Sequence, residues 1–157
     1  MSGKVERRER EVSSLSQAVA DIERLAAGEV RVTGKHSFGQ IIHHLALSLD
    51  MSAGRVQPPP IPWYMKLMTA LFRSMLINDK PLKPGFKLPK ASEDYFWPDQ
   101  EFDVQQSLAY FKEAVQNYDT NGPLEKHPVF GEISHAQNLS LSCRHCAMHL
   151  SFVHPVS

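Results

Sequence analysis

The sequence predicts an all-α fold, a helical bundle with one additional, very apolar helix. Three observations carry that expectation. Serine followed three residues later by glutamine recurs at Ser14/Gln17, Ser37/Gln40 and Ser134/Gln137, each time just ahead of an apolar run, which is the pattern of a capping box. Behind these starts, and behind Asp103 with Gln106 three residues on, apolar side chains return every three or four positions, the period of one helix face. Between the runs stand glycines and prolines. Nothing alternates long enough to make a strand, and VRV at 30–32 is too short to start a sheet alone.

Taken in order, residues 1–12 (MSGKVERRERE and one valine) read as a charged extension, frayed or forming an unpacked first turn of helix, ahead of a single domain at 13–157. The first helix is SSLSQAVADIERLAAG, with Leu15, Val19, Ile22, Leu25 and Ala26 as its apolar stripe and Gly28 as its stop. The second, SFGQIIHHLALSLDMSAG, carries Phe38, Ile41, Ile42, Leu45 and Leu49 on one face and ends at Gly54. VQPPPIP then forbids a continuing helix. PWYMKLMTALFRSMLI follows as a helix apolar on most sides, expected to be buried against the bundle or a twofold partner because its polar face is thin for a membrane surface.

Residues 78–98 hold Pro81, Pro84, Pro89 and Pro98 and read as a long loop whose Phe86, Tyr95, Phe96 and Trp97 could roof a pocket. DVQQSLAYFKEAVQNY buries Leu108, Phe111, Ala114 or Val115, and Tyr118. A second loop then leads to the last helix at Ser134.

Composition narrows the function classes. The chain has 157 residues, enough for one self-sufficient core. Lys plus Arg and Asp plus Glu stand at 17 each, so no global field favours nucleic acid or an anionic membrane, and neither is expected as a partner. The first residues lack the apolar core of a secretory signal, no run approaches the length of a membrane span, and two cysteines fit a reducing cytoplasm. Eight histidines are many for this length and direct attention to metal or proton chemistry.

The stretch SCRHCAMHLSF, residues 142–152, concentrates the question. His145 and His149 are four apart and stack on one helix face, the spacing by which a helix offers two imidazoles to one ion. Spacing alone leaves open that they are merely partly exposed histidines. Cys143 and Cys146 fall on the greasier side with Leu139 and Leu150, which reads as core packing. A second CxxC and a preceding strand, the marks of a zinc ribbon or a thioredoxin-like site, are missing, although Cys146 remains open as an auxiliary ligand. In the second helix His44 sits on the shoulder of the apolar stripe while His43 points nearly opposite, so periodicity offers His44 as a third ligand. Three neutral imidazoles leave coordination positions open for water or substrate and suit Zn²⁺, Ni²⁺ or Fe²⁺.

GQIIHHLALSLD, the proline-rich insert, HPVFGEIS and RHCAMHLSF, in that order, resemble the DinB superfamily. The likeness is closest to its uncharacterised branch, with GQI-x-x-HLA, HP-x-FG and terminal H-x-x-x-HL-x-F motifs, and it covers roughly residues 14 to 153. The resemblance implies a four-helix bundle with up-down-down-up connections, the extra helix and Pro-rich loop lying between its second and third helices. It also implies a divalent metal on His44, His145 and His149, and often a homodimer. Similar proteins include metal-dependent transferases of low-molecular-weight thiols, such as bacillithiol and mycothiol, and hydrolases. The chain departs from the pattern at Met148, where another histidine is common, and at Asn138, where tryptophan is common.

Among the remaining histidines, His127 lies in the HPVFG loop, where it either fixes the loop by a hydrogen bond or serves the metal mouth as a catalytic acid–base group. His36 and His135, beside helix starts, read as neutral surface residues, and His154 as uninvolved. The expected function is therefore a metal-dependent thiol transferase or hydrolase acting on a small electrophile. The alternatives are a non-catalytic binding or dimerisation module and, third, a dithiol redox protein.

Overall fold

Four helices begin where a side chain can satisfy the free backbone donors of a first turn. Ser14 heads α1 (Leu15–Ala26) by accepting from the Gln17 N–H, and Asp103 Oδ1 heads α5 (Val104–Asn121) by accepting from the Gln106 N–H at 2.9 Å. Complete capping boxes at Ser37/Gln40 and Ser134/Gln137 start α2 (Phe38–Ser52) and α6 (His135–Leu150). In α1 the box shifts by one residue, because the Gln17 side chain accepts from the Ser13 N–H. The computed structural model describes residues 4–157.

These four helices share one core. α2 lies along α5 and also meets α6, while α1 packs against both α5 and α6. The expected stripes are the ones that meet there: Ile22 and Leu25 from α1, Ile42 and Leu45 from α2, Phe111 from α5 and Leu150 from α6 are all buried. Tyr118 is buried with its hydroxyl donating to Asn138 Oδ1 at 2.7 Å, so the polar end of the ring is satisfied inside the core. At Gly39 a Cβ would fall on the Phe102 carbonyl oxygen. Only glycine lets the start of α2 approach the backbone that leads into α5 so closely.

Three expectations need correction. The fold is mostly helical but holds two small antiparallel ladders. VRV forms β1 (Val30–Val32), paired with β4 (Val153–Pro155), with Arg31 opposite His154. β2 (Lys126–His127) pairs with β3 (Gly131–Glu132), and Gly131 at φ 71° helps close the tight turn between them. VRV does pair, but its partner lies at the far end of the chain, beyond the reach of local pattern.

The N-terminal extension is not frayed over its described part. The Arg8 N–H donates to the Ser151 carbonyl at 2.7 Å, Arg7 Nε donates to Ser151 Oγ at 2.8 Å, and Arg10 pairs with buried Asp21. Charge there serves tertiary ion pairs and hydrogen bonds, and Val12 enters the core.

Of the two covers expected for the apolar helix α3 (Trp63–Leu76), the bundle supplies little: among the described residues only Met65 and Thr69 of α3 are buried, while Trp63 is 77% and Leu71 70% exposed. It starts one residue after Pro62, which takes the cap position itself. Lastly, the Pro-rich segment is not all loop. It contains α4 (Lys90–Phe96), seven residues with Pro89 at its cap, too short to show a stripe. Among the described residues no helix is long and apolar enough to cross a membrane.

Candidate metal centre

α2 and α6 are in contact, and where they meet the three histidines come together. His44, on the inner shoulder of α2, is 5% exposed. Its Nδ1 lies 3.1 Å from the Phe96 carbonyl oxygen at the end of α4. A carbonyl can only accept, so Nδ1 carries the proton and the Nε2 lone pair points the other way. There it meets His145 Nε2 at 3.2 Å, and His145 Nε2 lies 2.9 Å from His149 Nε2. Ligand atoms of the three rings all lie within 4.8 Å of one another. A tetrahedral ion held by imidazoles at about 2.0–2.1 Å sets its nitrogens about 3.3 Å apart, close to the separations of 3.2 and 2.9 Å that His145 Nε2 makes with its two neighbours. The cluster could hold a metal ion.

Electrostatics agree with that geometry. Burial, followed by the neighbouring His145, holds His44 well below the usual imidazole range, and the same causes lower His149. Burial and then His127 bring His145 down to about 4. All three rings are therefore neutral near pH 7, the form that binds a metal. With His145 and His149 protonated on Nδ1, as His44 is, the three Nε2 lone pairs would face one another and a shared cation would relieve that arrangement.

Trp97 forms the roof. Its ring stacks on His44 at 3.8 Å and on His36 at 3.7 Å, with the edge of His149 at 5.2 Å. His36 thus differs from its expected surface role: it is half-buried against Trp97, and burial lowers its pKa. The Phe96–Trp97 contribution was partly visible as a run of aromatics. The orienting carbonyl was not, since a backbone oxygen leaves no trace in residue type.

His127 lines the same cavity as the three rings but stands outside their cluster. Its Nδ1 accepts from the N–H groups of Val129 at 3.0 Å and Phe130 at 3.2 Å, so its proton sits on Nε2, which donates to Ser52 Oγ at 3.3 Å. That is the loop-fixing role. With Nε2 already protonated, His127 is unsuited to draw the proton from Ser52, and burial brings its pKa to about 4.

His154 is buried in β4, 3.3 Å from Thr33 Oγ1, and His43 stacks on Phe102; neither joins the centre. Cys143 and Cys146 are free and buried in the core, and burial raises both thiols away from the thiolate form. Cys146 lines the cavity without belonging to the cluster. Asn138, on the tryptophan position of the motif, turns into the core toward Tyr118.

A family model described as "Protein of unknown function (DUF1569)" matches residues 4–156. No curated protein and no solved structure matches the chain.

Proposed function

The chain belongs to the DUF1569 family, and we propose that it is a metal-dependent enzyme, a thiol transferase or hydrolase acting on a small electrophile. The observation that carries the reading is the convergence of three Nε2 atoms, one of them aimed by the Phe96 carbonyl behind it. His44, His145 and His149 would hold the ion, with Zn²⁺, Ni²⁺ and Fe²⁺ all compatible with three imidazoles. Once bound, it supplies Lewis-acid activation, lowering the pKa of a water or thiol at an open position. The remaining work belongs to the chain. The α4 carbonyl fixes the tautomer of His44, Trp97 shields two ligands from water, and burial keeps the rings unprotonated.

In this proposal α1, α2, α5 and α6 form a DinB-like four-helix bundle with up-down-down-up connections in a cytoplasmic protein. The contacts of each of α1 and α2 with both α5 and α6 support that reading. A second reading, a non-catalytic binding or dimerisation module, is favoured by the exposed apolar face of α3, which would suit a homodimer contact.

The test is metal content after purification without a histidine tag, for the wild type and His44→Ala, followed by assays with thiols and electrophilic acceptors. The enzyme reading expects stoichiometric metal that His44→Ala loses, and turnover that depends on it. A wild type without metal defeats the reading, and bound metal without turnover on any acceptor favours the second one.

A further inference from the structure

Beside the three imidazoles lies a cavity of about 720 Å³, within the range of small-molecule sites. Its walls are apolar: Leu45 and Leu49 of α2, Met148 of α6, and Leu82, Phe86 and Leu88 of the Pro-rich segment. A polyhydroxylated ligand would find few partners there. Of the four hydroxyls lining it, three are engaged, leaving Ser142: Thr33 contacts the Phe152 carbonyl at 3.2 Å, Ser48 donates to the His44 carbonyl at 2.8 Å, and Ser52 accepts from His127.

The acidic and basic side chains lining the cavity are Lys35, Lys83, Lys87 and Glu93. Glu93 pairs with Lys35 at 3.4 Å. Lys83 and Lys87 are exposed and, among the described residues, pair with no carboxylate. The cavity thus offers greasy walls, two uncompensated cations on one bordering segment, and no free negative group. A cationic ligand would meet repulsion and no partner, whereas a negative one would be met by both lysines.

We propose that this site takes amphiphilic acids. Such a substrate has an apolar body that fills the cavity, a donor group that reaches the histidine cluster, and a carboxylate or phosphate met by Lys83 and Lys87. The donor group rests on the metal reading above; the apolar body and the charge rest on the cavity alone.

Calorimetric titration separates the two. Straight-chain carboxylates of increasing length are titrated into metal-free protein. Alkyl hydroxamic acids, with and without a terminal carboxylate, are titrated into zinc-loaded protein. Affinity should rise about threefold to fourfold per methylene until the cavity is filled. A terminal carboxylate should add a gain of up to about fivefold that disappears in Lys83→Gln/Lys87→Gln and fades with added salt. Affinity independent of chain length, a terminal carboxylate that weakens binding, or a gain that survives the double variant overturns the proposal. If zinc does not bind, hydroxamates lose their advantage over matched carboxylates, which defeats the metal reading. The length and charge dependence of the plain carboxylates still decides this one.

Discussion

α2 and α3 are both apolar helices of similar length, yet one is almost wholly enclosed and the other lies largely open to solvent. α2 is enclosed by α5 and α6, and His44 on the shoulder of its stripe finds the Phe96 carbonyl waiting. α3 meets the body of the protein through Met65, Thr69 and arginine contacts: Arg73 donates to the Glu132 carbonyl, and Arg144 donates to the Leu76 carbonyl at 3.1 Å. Hydrophobicity creates a demand for cover, and topology decides whether the chain itself can supply it. For α2 the demand is met within the chain, and a polar site can be built on top of it. For α3 the outward face stays uncovered.

The widest gap between the two regions should appear on removal of a metal ligand. His145→Ala is expected to weaken zinc binding by more than about 100-fold, beyond what loss of an orienting partner costs. Leu71→Ala on α3 should leave it unchanged. Titration against a competing chelator measures both, and equal effects would erase the distinction.

Acid should act next, and only on the enclosed region. Between pH 6.5 and about 4 an unfolded imidazole binds a proton that buried His127 and His145 refuse. The unfolded state therefore holds more protons, and stability falls as the pH falls through that window. Each of these two rings accounts for up to about 3 kcal/mol, a part of the decline that levels off below about pH 4, and His44 and His149, held well below the usual imidazole range, add further loss. Denaturant midpoints of metal-free protein at pH 7, 5 and 4 check this. A flat profile would mean that these rings are hydrated.

A smaller effect is expected at Gly39→Ala, where the new methyl meets the Phe102 carbonyl: about 2–3 kcal/mol of stability by urea unfolding. A neutral result would show that α2 can stand off from that backbone. The smallest effect belongs to α3. Leu71→Gln should change stability by less than about 0.5 kcal/mol in a monomer, because the side chain is 70% exposed and little among the described residues covers it. A concentration-dependent loss larger than that would show that α3 is covered by a second copy.

The same contrast explains what could be read from residues alone. Helix starts were legible because Ser14, Ser37, Asp103 and Ser134 act within one turn of themselves. His44 was separable from His43 because a helix wheel is local geometry. The pairing of β1 with β4, the docking of Arg8 on Ser151 and the orienting role of the Phe96 carbonyl join segments far apart in sequence, and all three use backbone atoms. Which of its two expected covers α3 takes, the bundle or a twofold partner, was illegible for a related reason: its apolar face is plain in the sequence, but the neighbour is not.

X-ray absorption at the zinc edge of the zinc-loaded, untagged protein tests the central claim most directly. Three imidazole nitrogens with one further light ligand at about 2.0–2.1 Å, and loss of the imidazole outer-shell pattern in His145→Ala, is the predicted result. Sulfur scattering at about 2.3 Å would instead put the ion on Cys143 and Cys146, and a wild-type spectrum unchanged by His145→Ala would mean that the three rings do not hold it.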